Sequence, residues 1–242
     1  MIKKIFDGFG LAVSMLSVVP FFKVHHFYKG INGYSVMFYP LVGALLGGLL
    51  YGFYMLCTLV FPQTHSVVLV FGAWVVLTGA LHLDGLSDTI DGLFVAKEKA
   101  LDVMKDSHVG GMGMIFSGVF LLLKLSSLLA LSDMFYIIPV MMLSRFGAVI
   151  ALYHFPYVHK NGMGVLAKEE LTPLHYALAF GSVLLLSIVL HVSTLFLLTY
   201  GVIYLLAQAF IRRYGGLSGD MYGFMIEVSE LLLLNAVIAG LV

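Results

Sequence analysis

Seven apolar stretches of bilayer-spanning length limit what this chain can fold into. A helix needs roughly 17 to 25 residues to cross the hydrocarbon core of a membrane. The stretches cover residues 35–61, 66–83, 110–132, 134–153, 174–191, 194–211 and 221–242. Because 61% of the residues are hydrophobic and only 11% are charged, too little polar surface remains for a soluble globule. The sequence predicts an all-α integral membrane protein, a polytopic bundle with about seven transmembrane helices.

The N-terminal segment, residues 1–22, favours an interfacial or re-entrant helix over a further span. Lys3 and Lys4 open it, and Asp7 with two nearby glycines interrupts its apolar run. No small-residue cleavage site of a signal peptide is evident. A polar segment follows, and no linker or internal repeat divides the chain. Residues 1–242 are therefore predicted to form a single transmembrane domain.

Lysine and arginine outside the predicted spans fall on one side of the bundle. They lie before the first span and in the loops between spans two and three, four and five, and six and seven. The opposite connections, residues 62–65, 132–133 and 191–193, contain neither residue. By the positive-inside rule the charged side is cytoplasmic. Thirteen basic and thirteen acidic residues leave no net charge, so nothing indicates a nucleic-acid partner.

Carboxylates are concentrated where the second apolar stretch ends. If its helix continues, the spacing of Asp84, Asp88 and Asp91 places them on one face, and Asp102 and Asp106 follow one helical turn apart. Neighbouring carboxylates repel one another unless a cation joins them, and hard oxygen ligands suit Mg²⁺, with Mn²⁺ as a substitute. The sequence predicts a metal site at these five aspartates, on the cytoplasmic side. The alternative is a solvated acidic face beside a helix end.

Two glycine-rich segments on the same side are candidate phosphate-binding turns. Residues 105–113 lead into the third span, and the free N–H groups of such a helix start bind anions. The alternative is a flexible hinge or close helix packing. Residues 212–220 combine two guanidinium groups with a glycine turn, which predicts substrate contacts at Arg212, Arg213, Gly215, Gly216 and Asp220. The alternative for the arginines is topological anchoring.

Charged residues also occur inside the predicted spans, where they are costly unless paired. Arg145, about two turns from the cytoplasmic end of its span, is predicted to reach a substrate phosphate or a glutamate. Lys124 lies deeper and is predicted to form a structural ion pair or to snorkel. Glu227 and Glu230 lie on one face of the last helix and require a partner.

Four motifs in matching order resemble the cobalamin synthase family, adenosylcobinamide-GDP ribazoletransferase. They are His82–Gly92, Met104–Gly110, Phe155–Tyr157 with Gly162–Gly164, and Gly215–Asp220. The segment Phe38–Gly43 is also similar to the family. Where the family usually has arginine after the Asp-Ser pair, this chain has His108, so a positive charge at that position is in doubt.

The resemblance implies the last joining step of cobalamin assembly in the cytoplasmic (inner) membrane of a prokaryote, so that the single domain is catalytic. Such enzymes transfer adenosylcobinamide phosphate from its GDP-activated form to the ribose hydroxyl of alpha-ribazole or its 5′-phosphate. GMP is released, and Mg²⁺ is required. The resemblance leaves open the form of the acceptor, its lower base, the number of metals and whether the protein, embedded in membrane lipid, is a homo-oligomer.

A more distant likeness, to the CDP-alcohol phosphotransferases, concerns the acidic residues alone. Asp88, Asp91, Asp102 and Asp106 match their aspartates, but an Ala-Arg pair and a glycine of that signature are missing. By this analogy Asp106 is predicted to accept the proton of the attacking hydroxyl, and the alternative is that it is another metal ligand. Asp88 and Asp91 are also predicted to be catalytic, and Lys105, Arg145, Arg212 and Arg213 to bind the substrate.

A cation-coupled membrane transporter is the competing class, because ion pathways also use acidic and basic residues inside the membrane. Transporters usually hold their coupling acids near the bilayer midplane and contain repeats. Here the carboxylates cluster at one surface and no repeat is evident, which favours the enzyme.

Overall fold

The computed structural model describes residues 2–19, 27–106 and 108–242, and this part of the chain is helical without a named strand. The helices are α1 Ile2–Leu16, α2 Ile31–Met37, α3 Tyr39–Cys57, α4 Gln63–Leu77, α5 Leu81–Leu93, α6 Lys97–Val103, α7 Gly111–Ala130, α8 Ile137–His154, α9 Met163–Glu170, α10 Pro173–Val189, α11 Ser193–Tyr214 and α12 Gly219–Ile238. A 3₁₀ turn, Met134–Tyr136, precedes α8. The predicted all-α fold is confirmed.

Five helical segments of this part of the chain are long and apolar enough to cross a membrane. They are α3, α7, α8 with its 3₁₀ turn, α11 and α12. Two further pairs pass the same test only together, because α4 and α5 are bent by 80° and α9 and α10 by 87°. Counting each pair as one span gives seven, which agrees with the predicted polytopic membrane bundle.

The break between α4 and α5 corrects the predicted second span. Gly79 and Ala80 adopt positive φ angles of 62° and 54°, a left-handed conformation that a right-handed helix cannot continue through. The helix therefore ends at Leu77 and does not extend through residue 83 into the acidic residues. Asp84, Asp88 and Asp91 instead share the separate helix α5, which preserves their predicted spacing on one face.

The N-terminal region also differs in detail from the predicted boundaries. Helix α1 is not among the candidate spans, and it buries Leu11, Ala12, Val13 and Leu16 against the bundle. The predicted first span, 35–61, is divided at Phe38 between α2 and α3. Lys23, part of the predicted polar segment, lies outside the described residues.

Helix α8 forms the centre of the bundle, and every residue from 140 to 152 is buried. Helix α3 packs closely against it because Gly43 and Gly47 have no side chain. A Cβ at Gly47 would lie 2.7 Å from the Cα of Ile138. Small residues permit this close approach between membrane helices.

A buried network of charged side chains joins α7, α8 and α12. Lys124 Nζ donates to Glu227 Oε2 at 2.7 Å and also to Glu230, and Arg145 donates to Glu230. The Lys124 ammonium also lies 4.4 Å from the ring centroid of Trp74 on α4. The predicted ion pair of Lys124 and the predicted partners of both glutamates are thereby confirmed.

Candidate active site

Contact between the backbones of α5 and α12 brings their acidic residues together. A Cβ at Gly85 would lie 2.8 Å from the backbone oxygen of Asp220, and one at Gly223 would lie 3.3 Å from the Cα of Gly85. Because both positions are glycine, the first turn of α12 lies directly against α5. Asp84 and Asp220, which are 136 positions apart in the sequence, therefore line one cavity.

This acidic cavity has a volume of about 270 Å³ and is surrounded by six helices. Asp84, His82 and Asp220, with the hydroxyl-bearing Tyr39 and Tyr222, provide its polar lining. Its apolar lining comes mainly from α1, α8 and α9, through Met15, Leu16, Ala148, Leu152, Met163 and Ala167. An apolar cavity with a few converging polar groups is the usual form of a small-molecule site.

The acids at this cavity form no ion pair with the residues that the structure describes, although His159 exerts a favourable charge on Asp220. The negative charges of Asp84, Asp220 and Asp91 all act on the Asp88 carboxylate, which is half-buried. None of the ion pairs among the described residues includes Asp84, Asp88 or Asp220. Repulsion of this kind is relieved by a bound cation, so the donor set fits a divalent metal with oxygen ligands. Within the described ranges, no three acidic, His or Cys side chains already converge as a complete metal site.

Two buried polar atoms at the cavity also lack partners in the part of the chain that the structure describes. They are His82 Nε2 and the hydroxyl oxygen of Tyr222, and both residues line the cavity. A buried polar group without a hydrogen bond is costly, so such atoms commonly mark a place where a ligand or water binds.

Asp91 has a different environment from Asp84 and Asp88. Its carboxylate oxygens accept hydrogen bonds from the backbone N–H groups of Gly110 and Gly113, each at 2.8 Å. These are the glycines in which the sequence predicted a phosphate site. The anion at the start of α7 is thus Asp91 itself, which fastens α5 to α7. Close packing, the alternative considered for this glycine-rich segment, is the arrangement found.

We expect Asp91→Ala to lower the thermal stability of the metal-free protein, and Asp88→Ala to leave it unchanged or raise it. Loss of the Asp91 carboxylate leaves two N–H groups without an acceptor, which costs about 1 to 2 kcal/mol for a helix cap. Loss of Asp88 removes a source of repulsion. Thermal unfolding in detergent with EDTA measures both. Equal destabilisation by the two variants would contradict this division of roles.

The structure does not bring Asp102 and Asp106 into hydrogen-bonding contact with the other acids. Asp102 is exposed on α6, and Asp106 is exposed in the loop before α7. The Asp106 Oδ1 atom pairs with His108 Nδ1 at 2.7 Å and accepts the backbone N–H of His108 at 3.0 Å. These two hydrogen bonds lower the pKa of Asp106. Its predicted role as a base, like the metal role of both residues, stays a prediction.

The predicted substrate-binding cations divide into two groups. Arg145 is fully buried and pairs with Glu230, the second of its two predicted partners. Arg213 donates to the backbone oxygens of Leu93 and Val95 at 3.0 and 3.2 Å, and so caps the end of α5. Arg212 and Lys105 are exposed and remain available to a ligand.

The glycine turn after α11 builds the loop that positions Asp220. Gly215 ends the helix with a φ of 82°, and the backbone of Leu217 exchanges hydrogen bonds with Pro156 and Val158 at 2.8 and 2.9 Å. A Cβ at Gly216 would lie 3.0 Å from the oxygen of Pro156. These contacts join two segments that are 59 positions apart, counted from Val158 to Leu217. Gly215 and Gly216 therefore allow the turn and the close backbone contact of this loop.

The pKa values of two side chains beside this loop, Tyr157 and His159, are shifted by burial and by nearby charges. Burial, and then the negative charge of Asp220, raise the pKa of Tyr157. Burial, and then the positive charge of Lys105, lower the pKa of His159. Tyr157 also stacks on Tyr222, with ring centroids 6.0 Å apart. Sequence reasoning gave no site role to Tyr222, because an isolated tyrosine in a membrane helix carries no distinguishing pattern. It also assigned none to His82, although that residue begins the first family motif.

Together, the helical membrane fold and the acidic cavity define a polytopic membrane enzyme. The chain belongs to the cobalamin-5-phosphate synthase family, whose model matches residues 8–238. All three relatives described next are named adenosylcobinamide-GDP ribazoletransferase.

The relative from Desulfitobacterium hafniense is 38% identical over 213 residues, covering 83% of this chain and 84% of its own. The one from Deinococcus radiodurans is 34% identical and covers 96% and 86%. The one from Desulforamulus reducens is 33% identical and covers 97% of each chain. No solved structure matches this chain.

Proposed function

We propose that this chain performs the reaction for which its relatives are named. It transfers adenosylcobinamide phosphate from adenosylcobinamide-GDP to the ribose hydroxyl of alpha-ribazole or its 5′-phosphate. The hydroxyl oxygen bonds to the corrinoid-side phosphorus, the bond from that phosphorus to the bridging oxygen breaks, and GMP leaves with that oxygen. The hydroxyl proton passes to a base. The acidic cavity between α5 and α12, formed by two family motifs, is the observation that carries this proposal.

A divalent cation, Mg²⁺ in our proposal, fits the acids at this cavity. Asp84, Asp88 and Asp220 would hold it, because these carboxylates act on one another and form no ion pair among the described residues. When bound, such an ion neutralises charge on the pyrophosphate and on the leaving phosphate. Asp220 was predicted as a substrate contact, and its position opposite Asp84 supports a metal role.

The rest of the site binds and orients the substrates. The apolar lining from α1, α8 and α9 excludes water from the reacting phosphorus and offers a surface to an apolar base. Lys105, in the loop before α7, and Arg212, in the last turn of α11, are both exposed. On the predicted cytoplasmic side they would contact phosphate oxygens of the substrate. Asp106 remains our proposed proton acceptor.

Asp106→Asn should lower the single-turnover rate by about a hundredfold or more while leaving Mn²⁺ affinity nearly unchanged, since a general base contributes that much in rate. His108→Gln is the matched variant, because it removes the imidazole that pairs with Asp106 and keeps the carboxylate. It should retain most of the rate. If Asp106→Asn loses metal affinity as well, the residue is a metal ligand.

The proposal is tested by incubating purified protein in detergent with adenosylcobinamide-GDP, Mg²⁺ and alpha-ribazole or its 5′-phosphate. We expect equal amounts of GMP and the joined corrinoid. Protein in sealed vesicles that moves a corrinoid without forming GMP would instead support the transporter alternative.

We propose that the protein lies in the cytoplasmic membrane with the acidic cavity facing the cytoplasm. In a Cys57→Ser background, cysteines introduced at the exposed positions Lys97 and Lys160 should react with an impermeant thiol reagent only from the cytoplasmic side. A cysteine at exposed Asp133 is the matched control and should react only from the opposite side. Reaction of position 97 or 160 from the outside would refute this orientation.

A further inference from the structure

A second cavity, which the reaction as described leaves unused, adjoins the acidic one. It has a volume of about 510 Å³ and lies between the start of α2 and helix α9. Met163 lines both cavities, so a ligand with its pyrophosphate in the acidic cavity has the second cavity beside it. The lining of this second cavity is more polar in residue type, with two glutamates, a lysine, an asparagine and a tyrosine.

We call this second cavity the polar cavity. One of its walls is held in place by hydrogen bonds between α2 and α9. The backbone N–H and the side-chain amide of Asn32 both donate to Glu170 Oε2, at 2.9 and 2.8 Å. The hydroxyl of Tyr28, which also lines the cavity, donates to Asp7 on α1 at 3.3 Å. These contacts order the wall before a ligand arrives. Because only the N–H groups of Asn32 are used, its side-chain amide oxygen can still accept a hydrogen bond.

Two charged side chains at this cavity are open to a ligand, although the positive charge of Lys29 also acts on the Glu170 carboxylate. Glu169 and Lys29 are exposed, and neither takes part in the ion pairs of the described residues. Phe27 adds an aromatic ring that is 70% exposed. A carboxylate, an ammonium group and a free aromatic face together suit a planar heterocycle that has N–H donors on one edge and acceptors on another.

Guanine has this arrangement of donors and acceptors. Its N1–H and N2–H groups are adjacent donors that a carboxylate accepts, and its O6 and N7 atoms are acceptors for an ammonium group. Adenine places the unprotonated N1 acceptor where guanine has a donor, so it would face the carboxylate unfavourably. An apolar base without such an edge fits the apolar lining of the acidic cavity better.

We propose that the polar cavity binds the guanine base of the GDP-activated corrinoid. In this arrangement, which rests on the proposed function, Glu169 accepts from N1–H and N2–H, Lys29 donates to O6, and Phe27 packs on the ring. Guanosine leaves the reaction as GMP, so the same cavity also recognises the product. Selectivity for the activating nucleotide is thereby assigned to α9 and to the segment that precedes α2, apart from the acids at the acidic cavity.

The test compares binding of GMP, IMP and AMP to purified protein with Mg²⁺, by titration calorimetry and by product inhibition of the transfer. IMP lacks only the N2 amino group of guanine. We expect wild-type protein to bind GMP more tightly than IMP or AMP. Glu169→Gln should lower the affinity for GMP by about tenfold or more, since the variant removes a charged acceptor. Glu98→Gln, at an exposed carboxylate on α6 outside both cavities, is the matched control and should bind GMP as wild type does.

The remaining outcomes separate the guanine site from the reaction itself. Transfer activity together with unchanged GMP affinity in Glu169→Gln would overturn the guanine site and leave the proposed function intact. An increase in KM for alpha-ribazole alone would assign the cavity to the acceptor and equally overturn the proposal. Absence of transfer by the wild-type protein would refute the proposed function and, with it, this inference. Size-exclusion elution confirms that each variant is folded.

Discussion

Asp88→Asn should lower the rate of GMP release by about a hundred- to ten-thousand-fold, because a metal ion supplies several kcal/mol of charge stabilisation in the transition state. Asp88 is half-buried beside the cavity and experiences the charges of three other aspartates. Replacing its carboxylate by an amide of the same shape weakens the attraction for the cation without creating a cavity. Single-turnover kinetics and Mn²⁺ titration of the same variant should show that rate and metal affinity fall together.

Asp102→Asn is the matched control for this prediction. Asp102 belongs to the same group of five aspartates in the sequence but is exposed on α6. Because our proposed metal ligands are Asp84, Asp88 and Asp220, we expect Asp102→Asn to retain metal affinity and most of the turnover, contrary to the role that the sequence predicted for Asp102. An Asp88→Asn protein with near wild-type turnover, or an equal loss in Asp102→Asn, would contradict the assignment of the metal to the cavity between α5 and α12.

Lys124→Met is expected to produce the largest loss of stability, about 3 kcal/mol in the free energy of unfolding. The lysine is 3% exposed and donates to both Glu227 and Glu230, whereas Arg145 donates to Glu230 and Ser144 but not to Glu227. Without the lysine, Glu227 becomes an unpaired carboxylate inside a membrane bundle. The change is measured by titrating the protein with a denaturing detergent and monitoring its unfolding by circular dichroism.

A double variant, Lys124→Met with Glu227→Gln, separates the loss of charge pairing from the loss of packing. Removing both members of the pair leaves no uncompensated charge, so the double variant should recover much of the lost stability. Glu227→Gln alone should also be destabilised, since Lys124 is then paired only with Glu230, which also accepts from Arg145. If the double variant is no more stable than Lys124→Met, the ion pair is not the source of the effect.

The membrane helices could be predicted from the sequence because apolar length is a local property. Four predicted spans, 110–132, 134–153, 194–211 and 221–242, match α7, α8, α11 and α12 closely. The broken pairs were less predictable. Ala80, a residue with high helix propensity, adopts a left-handed conformation there, and only the packed bundle determines this.

The acidic residues of the site were predictable, but their grouping was not. Asp84 and Asp88 share a face of α5 because of a local spacing that the sequence reveals. Asp220 joins them only because Gly85 and Gly223 let two helices touch, a contact between distant parts of the chain. Conversely, the carboxylate of Asp91, also on α5, lies against the start of α7, where the backbone N–H groups of Gly110 and Gly113 donate to it. Spacing along one helix cannot distinguish that environment from a metal site.

The basic residues show the same division between local and distant information. Lys124 and Arg145 required partners on energetic grounds, and the glutamates of α12 supply them. Arg213 was predicted as a phosphate contact from its glycine-rich surroundings, yet it binds backbone oxygens at the end of α5. An arginine near a glycine turn fits either role, and only the position of α5 decides between them.

The most direct test of the metal assignment is a crystal structure with Mn²⁺ in place of Mg²⁺, measured with anomalous scattering at the manganese edge. Such data locate the ion and identify its ligands at once. We predict an anomalous peak in the acidic cavity, within coordination distance of Asp84 and of Asp88 or Asp220. A peak confined to Asp102 on α6 or Asp106 in the loop before α7, with none in the cavity, would contradict the metal assignment.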